Sequence, residues 1–65
     1  MLTIHQSQLY EAFVHPTAGL IVQSKRKTGG VNMRPDHPQY NDWVEAFTTA
    51  IDAVEADDLC KALLA

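Results

Sequence analysis

Two prolines, Pro35 and Pro38, divide this chain into segments with different hydrophobic patterns. Proline lacks a backbone N–H and disfavours helical backbone in the residue before it, so a helix begins more readily after Pro38 than it runs through it. Downstream, apolar residues recur at helical spacing as far as Glu55, whereas upstream short apolar runs lie between turn-forming clusters. The pattern therefore predicts an α+β protein whose helix lies at the C-terminal end.

The C-terminal segment predicts one amphipathic helix between Pro38 and Glu55. Asp36 or Asn41 is expected to cap its start, because both residue types accept hydrogen bonds from free backbone N–H groups. The apolar face predicted for this helix consists of Trp43, Val44, Phe47, Ile51 and Val54.

The residues after Glu55 leave two alternatives open. The helix could continue straight, or it could break at residues 56–58 with Asp57 capping a short second helix. Aspartate is a poor residue inside a helix and a good cap, which favours the bend. A straight continuation would add three residues to the apolar face, namely Leu59, Ala62 and Leu63.

Upstream, the sequence predicts a β-hairpin. Residues 19–26 contain an apolar, partly β-branched run, which is typical of a strand. Residues 27–30 end in two glycines, which tolerate positive φ, so they predict a turn with the return strand at 31–34. The tip of this hairpin is basic.

Residues 9–15 satisfy both a helical face and a strand that would pair with residues 20–25 across a turn at 15–19. The short connection with proline and glycine favours the strand. The predicted fold is thus a small antiparallel β-meander or hairpin packed against the C-terminal helix, and the alternative is helix, hairpin, helix. A chain of 65 residues is expected to form a single domain, residues 1–65.

Three features that the sequence lacks, namely a long apolar run, a signal segment and a pair of cysteines, predict its cellular location and oligomeric state. Apolar runs reach about four or five residues, against roughly 20 for a membrane span, so no membrane contact is expected. The first residues lack a basic segment followed by an apolar one, and the single cysteine cannot form an internal disulfide. We therefore expect a cytoplasmic protein. Short chains without disulfides often gain stability by association, so we also expect a homodimer.

Charge is distributed unevenly along the chain. Residues 1–35 hold four basic residues and one acidic residue, a charge of +3, and residues 36–65 hold one basic and seven acidic residues, a charge of −6, which together give −3. Such polarity can orient an encounter with a charged partner.

An acidic stripe is predicted on the C-terminal helix, where a helical wheel places Asp42, Glu45 and Asp52 on one side together with Thr49 and Ala56. The stripe is either a solvated face or a docking surface for a larger protein with a basic surface. On the second interpretation the chain is a non-enzymatic adaptor or inhibitor, and Tyr40 or Trp43 supplies an aromatic anchor.

The alternative function is nucleic-acid binding by the basic hairpin tip, which holds Lys25, Arg26 and Lys27, extended by Arg34. Residues 31–35, followed by a helix and a possible second one, resemble a ribbon-helix-helix DNA-binding unit. That resemblance covers residues 31–65, implies a strand paired with its twin in a dimer, and makes Asn32 and Arg34 the base readers. It departs from the family at the second helix, where DNA phosphate would be repelled by Glu55, Asp57 and Asp58.

Metal binding and catalysis have little support in the spacing of the reactive residues. No closely spaced ligand pairs of the kind that zinc sites show occur among His5, His15, His37 and Cys60. Asp36 next to His37 could orient an imidazole base, but a capping turn explains the pair better. An enzyme pocket would consume most of the core of so short a chain. We therefore expect no enzyme activity, no cofactor and no metal.

Overall fold

The computed structural model describes residues 1–65 and shows an α+β fold, as predicted. Four strands form one antiparallel sheet in the order β1-β2-β3-β4, and two helices follow. Residues 9–15, which the sequence left open between helix and strand, contain a strand. The predicted meander is therefore confirmed, and the helix, hairpin, helix alternative is not. The elements are β1 (Leu2–Gln6), β2 (Tyr10–His15), β3 (Gly19–Ser24), β4 (Gly30–Met33), α1 (Tyr40–Thr49) and α2 (Ala53–Leu64).

The turn between β2 and β3 is held by a side chain and a glycine. His15 Nδ1 accepts hydrogen bonds from the backbone N–H groups of Thr17 and Ala18, both at 3.1 Å. Gly19 has φ +90°, and a Cβ there would clash with the carbonyl oxygen of Met33 on β4. Only glycine fits this position, which lets β3 lie close to the end of β4.

Strand β1 was not predicted, and it is irregular. Thr3 pairs with Phe13 and His5 pairs with Ala12, so Ile4 is an extra residue that forms a β-bulge. A bulge changes which face the following side chains point to. His5 thereby shares the face of Ala12, which is the face that the helices cover.

The helices pack on one face of the sheet and close a single hydrophobic core. A central cross-strand row on the opposite face consists of Thr3, Phe13, Ile21 and Asn32. The buried core residues, contributed by three strands and both helices, are Ala12, Leu20, Val22, Met33, Phe47, Ala56 and Cys60.

The prediction of one helix up to Glu55 is wrong, because α1 ends at Thr49 and Ala50 has extended backbone with ψ 132°. The hydroxyls of Thr48 and Thr49 donate to carbonyl oxygens four residues earlier, at 2.8 and 2.9 Å. Such bonds compete with helix propagation. Ile51 and Val54, predicted on the apolar face, are instead 90% and 69% exposed.

The predicted bend at residues 56–58 is also wrong, because the second helix starts earlier. Its N-cap is Asp52, and Asp57 lies inside α2. The sequence from Asp52 to Glu55 has the spacing of a capping box, in which an acidic N-cap is followed three residues later by glutamate. That pattern could have located the break.

The start of α1 differs from the prediction as well, since neither Asp36 nor Asn41 caps it. Gln39 is the N-cap residue and makes no side-chain capping bond. The loop is shaped by His37, whose Nδ1 accepts from the N–H of Gln39 at 3.0 Å and whose carbonyl accepts from the N–H of Tyr40 at 3.1 Å. Of the Asp36-His37 pair, the imidazole of His37 thus shapes the turn before α1, and Asp36 makes no capping bond. Neither helix has the length and apolar character that crossing a membrane requires.

Candidate functional site

The connection between α1 and α2, residues 50–55, forms a corner held by two reciprocal hydrogen bonds. Asp52 Oδ1 accepts from the N–H of Glu55 at 2.9 Å, and Glu55 Oε2 accepts from the N–H of Ile51 at 2.9 Å. This is the arrangement of a capping box, shifted by one residue at its second bond. Both carboxylates are therefore fixed relative to the backbone of the corner.

The corner presents two aliphatic side chains to solvent. Ile51 and Val54 are the two most exposed large hydrophobic residues outside the N-terminal pair Met1 and Leu2, which is also exposed. Burying a side chain of this size stabilises a complex by about 1.5–3 kcal/mol. The corner combines an apolar centre with a charged rim, which is the usual composition of a protein-binding surface.

The acidic stripe predicted from the helical wheel is not continuous, because the segment is two helices. Asp42 and Glu45 lie on α1, three residues apart on one exposed face, and neither forms a salt bridge. Asp52 lies in the corner as the N-cap of α2, and Ala56 is buried in the core. Asp42 and Glu45 thus lie on the exposed side of the helix that precedes the corner at residues 50–55.

The two predicted aromatic anchors, Tyr40 and Trp43, are half-buried and pack against the core. Trp43 Nε1 donates to Gln39 Oε1 at 3.4 Å, an exposed contact within the first turn of α1. Both rings thus support the position of α1, and Ile51 and Val54 are the more exposed apolar groups.

A second cluster, which sequence reasoning missed, ties α2 to the sheet. His5 Nε2 and the hydroxyl of Ser7 both lie 2.7 Å from Asp57 Oδ1, and we call these three residues the clasp. Ser7 Oγ also accepts from the N–H groups of Leu9 and Tyr10, so it shapes the β1–β2 turn as well. His5 and Asp57 are 52 residues apart in sequence, and no local pattern links them.

The clasp favours the ionised form of Asp57. Partial burial of this carboxyl raises its pKa, but the hydrogen bonds from His5 and Ser7 and the charge of His5 outweigh burial, so the pKa lies below its ordinary value of 3.8. The clasp lacks the order of a nucleophilic triad, because Ser7 donates to the carboxylate and not to the imidazole. Its chemistry is suited to holding two elements together.

The predicted basic patch is divided in the structure. Lys25 Nζ lies 3.6 Å from Glu11 Oε1, whereas Arg26 and Lys27 are exposed at the tip of the β3–β4 hairpin. Arg34 follows the opposite end of β4, about 13 Å away at 3.3 Å per residue over four residues.

Asn32 and its strand are also engaged within the chain. The Asn32 amide donates to the carbonyl oxygens of Ala18 and Leu20, at 2.9 and 3.2 Å. Strand β4 pairs with β3, whereas the resemblance to a ribbon-helix-helix unit implied a strand paired with its twin in a dimer. The four-stranded meander departs from that architecture.

The remaining candidate ligands are separated by their structural roles. His5 belongs to the clasp, and His15 and His37 each hold a turn with Nδ1. Cys60 is fully buried, as expected for a small hydrophobic residue, and burial together with the charge of Asp57 raises the pKa of its thiol to about 11. No three histidine, cysteine or acidic side chains come together as metal ligands would.

Comparison with known proteins gave no relative. No protein-family model matches the chain, and neither the curated proteins nor the solved structures contain a match to it. Fold and site together define a small α+β protein with an apolar, acid-rimmed corner.

Proposed function

We propose that this chain is a small, non-enzymatic protein-binding module, an adaptor or inhibitor, that docks on a larger protein through the helical corner. The observation that carries the proposal is the exposure of Ile51 and Val54 on a corner that a capping box holds rigid. A rigid apolar contact loses little conformational entropy on binding. A few well-packed residues near the centre of a contact supply most of the binding energy in protein interfaces.

Charge indicates the kind of partner. Asp42, Glu45 and Asp58 are exposed carboxylates without a salt bridge on the two helices that meet at the corner. Complementary charge speeds encounter and excludes wrong partners. The partner is therefore a protein with an apolar pocket surrounded by basic residues.

A second copy of the chain is a poor occupant of the corner. A two-fold interface places the same surface on both sides, so Glu45 and Asp52 would face like charges. The homodimer expected from the short length would have to use another surface. A cytoplasmic location is part of the proposal, because a buried free thiol at Cys60 is compatible with a reducing compartment.

Nucleic-acid binding receives less support. Of the residues expected to contact phosphate or bases, Lys25 is paired with Glu11, Asn32 is bonded to backbone, and Arg34 is remote from the hairpin tip. Arg26 and Lys27 alone give a weak electrostatic footprint for a chain of net charge −3.

The test begins with affinity capture and mass spectrometry to identify a partner, followed by measurement of its Kd with purified proteins. Replacing both Ile51 and Val54 by serine is expected to weaken binding about a hundredfold or more, because about 3 kcal/mol of apolar burial is lost. Leu2→Ser is the matched control, since it makes the same change at another exposed apolar residue. All these positions are exposed, so circular dichroism should show unchanged folding.

The acidic residues of α1 allow a second, independent test of the proposal. Asp42→Lys with Glu45→Lys is expected to weaken binding and to reduce its dependence on salt. We leave Asp52 unchanged because its reversal would also remove a helix cap. Unchanged affinity in both the serine and the lysine variants would contradict the proposal, as would sedimentation showing a dimer that the serine variant dissociates.

A further inference from the structure

The structure brings together two lysines that the sequence places in halves of opposite charge. Lys27 lies at the tip of the β3–β4 hairpin and Lys61 lies in the last turn of α2. Both line one cleft of about 290 Å³ between the hairpin and the end of the helix. The other residues that line it are Tyr10, Ser24, Leu64 and Ala65.

Neither lysine in the cleft has an internal counter-charge. The two salt bridges of the chain are His5 with Asp57 and Lys25 with Glu11, so no carboxylate lies within 4.0 Å of either Nζ. No lining residue has an acidic side chain, and the one negative group at the cleft is the backbone carboxylate of Ala65. The two lysines therefore leave a surplus of positive charge there, in a protein of net charge −3. The carbonyl groups that end α2 carry partial negative charge, which Lys61 offsets.

The residues that line the cleft combine hydrogen-bond donors with apolar surface, and this combination suits one class of ligand. Two ammonium groups and the hydroxyls of Tyr10 and Ser24 can all donate to an anion. Leu64 and the ring of Tyr10 supply apolar surface beside them. A phosphate monoester carries close to two negative charges and three acceptor oxygens at pH 7. The volume lies at the lower end of the range for small-molecule sites.

We propose that this cleft binds a phosphate monoester with a small apolar body, the phosphate between Lys27 and Lys61 and the body against Tyr10 and Leu64. Ser24 Oγ accepts hydrogen bonds from the N–H groups of Arg26 and Lys27, both at 3.3 Å. These bonds hold the hairpin tip, and with it Lys27, in place at the cleft. The site is separate from the helical corner, so the inference does not depend on the proposed docking function.

The experiment is a titration of the ¹⁵N-labelled chain with phenyl phosphate, followed by heteronuclear NMR. Saturable shifts are expected at the amides of residues 10, 24, 27 and 61–65. Phenyl sulfate has nearly the same shape and one charge fewer, and inorganic phosphate lacks the apolar body, so both are expected to bind more weakly. The absence of saturable shifts with phenyl phosphate up to about 10 mM would overturn the proposal, and so would equal affinity for phenyl sulfate.

Matched variants locate the site. Lys27→Met and Lys61→Met each remove one charge and keep an unbranched apolar side chain. Each is expected to weaken the binding of phenyl phosphate about tenfold. Arg26→Met removes a charge from the same hairpin outside the cleft and should leave affinity unchanged. All three residues are exposed, so the variants should fold. Equal weakening in Arg26→Met would show general charge attraction and overturn the cleft as a site.

Discussion

Asp57→Ala is expected to destabilise the fold, because it removes the acceptor that joins α2 to the first strand and the turn after it. In the clasp one carboxylate oxygen accepts two hydrogen bonds of 2.7 Å, from His5 and Ser7. The His5 side chain is 8% exposed and that of Asp57 is 23% exposed, so solvent screens the contact only in part. The variant would leave the largely buried imidazole nitrogen without its partner.

The expected loss is about 2–3 kcal/mol. Hydrogen bonds to a charged group are each worth about 1.5–3 kcal/mol, and partial exposure of Asp57 moves the pair towards the lower end. Ser7 retains its bonds to backbone N–H groups, which limits the damage at the turn. For a domain of this size, the loss corresponds to a fall in Tm of about 10–20 °C.

Urea unfolding followed by fluorescence measures this loss, since Trp43 is the single tryptophan and packs against the core. Asp58→Ala is the control: it removes the same group from the next residue of α2, where the carboxylate is exposed and unpaired. We expect the control to change the free energy of unfolding by less than about 0.5 kcal/mol. Equal losses in the two variants, or a loss below that level for Asp57→Ala, would refute the role of the clasp.

The clasp also predicts a pH dependence. The pKa of Asp57 is lower in the folded chain than its ordinary value of 3.8, so its stabilising contribution is complete above that value and is lost as pH falls through the folded pKa. The difference in stability between the natural chain and Asp57→Ala should therefore shrink as the pH falls below about 3.8. A difference that persists undiminished at the lowest pH would contradict ionisation as the cause.

Three further predictions concern single positions. Gly19→Ala should lower the Tm far more than Gly29→Ala. Both glycines have φ near +90°, which costs about 1–2 kcal/mol for alanine, but only at Gly19 would the new methyl group clash with a neighbouring atom. Equal losses of Tm in the two variants would contradict the close approach of β4 to Gly19. Asp52→Ala should cost about 1 kcal/mol in urea unfolding, with Asp52→Asn close to neutral, because the cap needs a side-chain acceptor and not a charge. Cys60, with a thiol pKa of about 11 and no exposed surface, should react with a thiol reagent at neutral pH only after unfolding in urea, and rapid labelling of the folded chain would refute its burial.

Local sequence was sufficient for several elements of the fold. The turn clusters at 15–19 and 27–30 located the β2–β3–β4 meander, because proline and glycine restrict or release backbone torsions regardless of context. The helical spacing after Pro38 located α1. Each depends on residues within a few positions of one another.

The break between α1 and α2 shows where periodicity misled. Ile51 and Val54 continue the helical spacing of Phe47, yet they are exposed. The hydrogen bonds of Asp52 and Glu55 start a second helix there, so these residues do not continue the apolar face of α1. Apolar spacing alone could not distinguish a core position from an exposed one, and the candidate site lies at that break.

By itself, then, the sequence determined the class of the fold, the order of most strands and the start of the helical part, since turn chemistry and periodicity act over a few residues. Tertiary structure alone decided three features: that β1 joins the sheet through a bulge, that His5 contacts Asp57, and that Lys27 and Lys61 line one cleft. The last two features join residues far apart in the chain. They exist only because packing α2 against the sheet brings distant side chains close to one another.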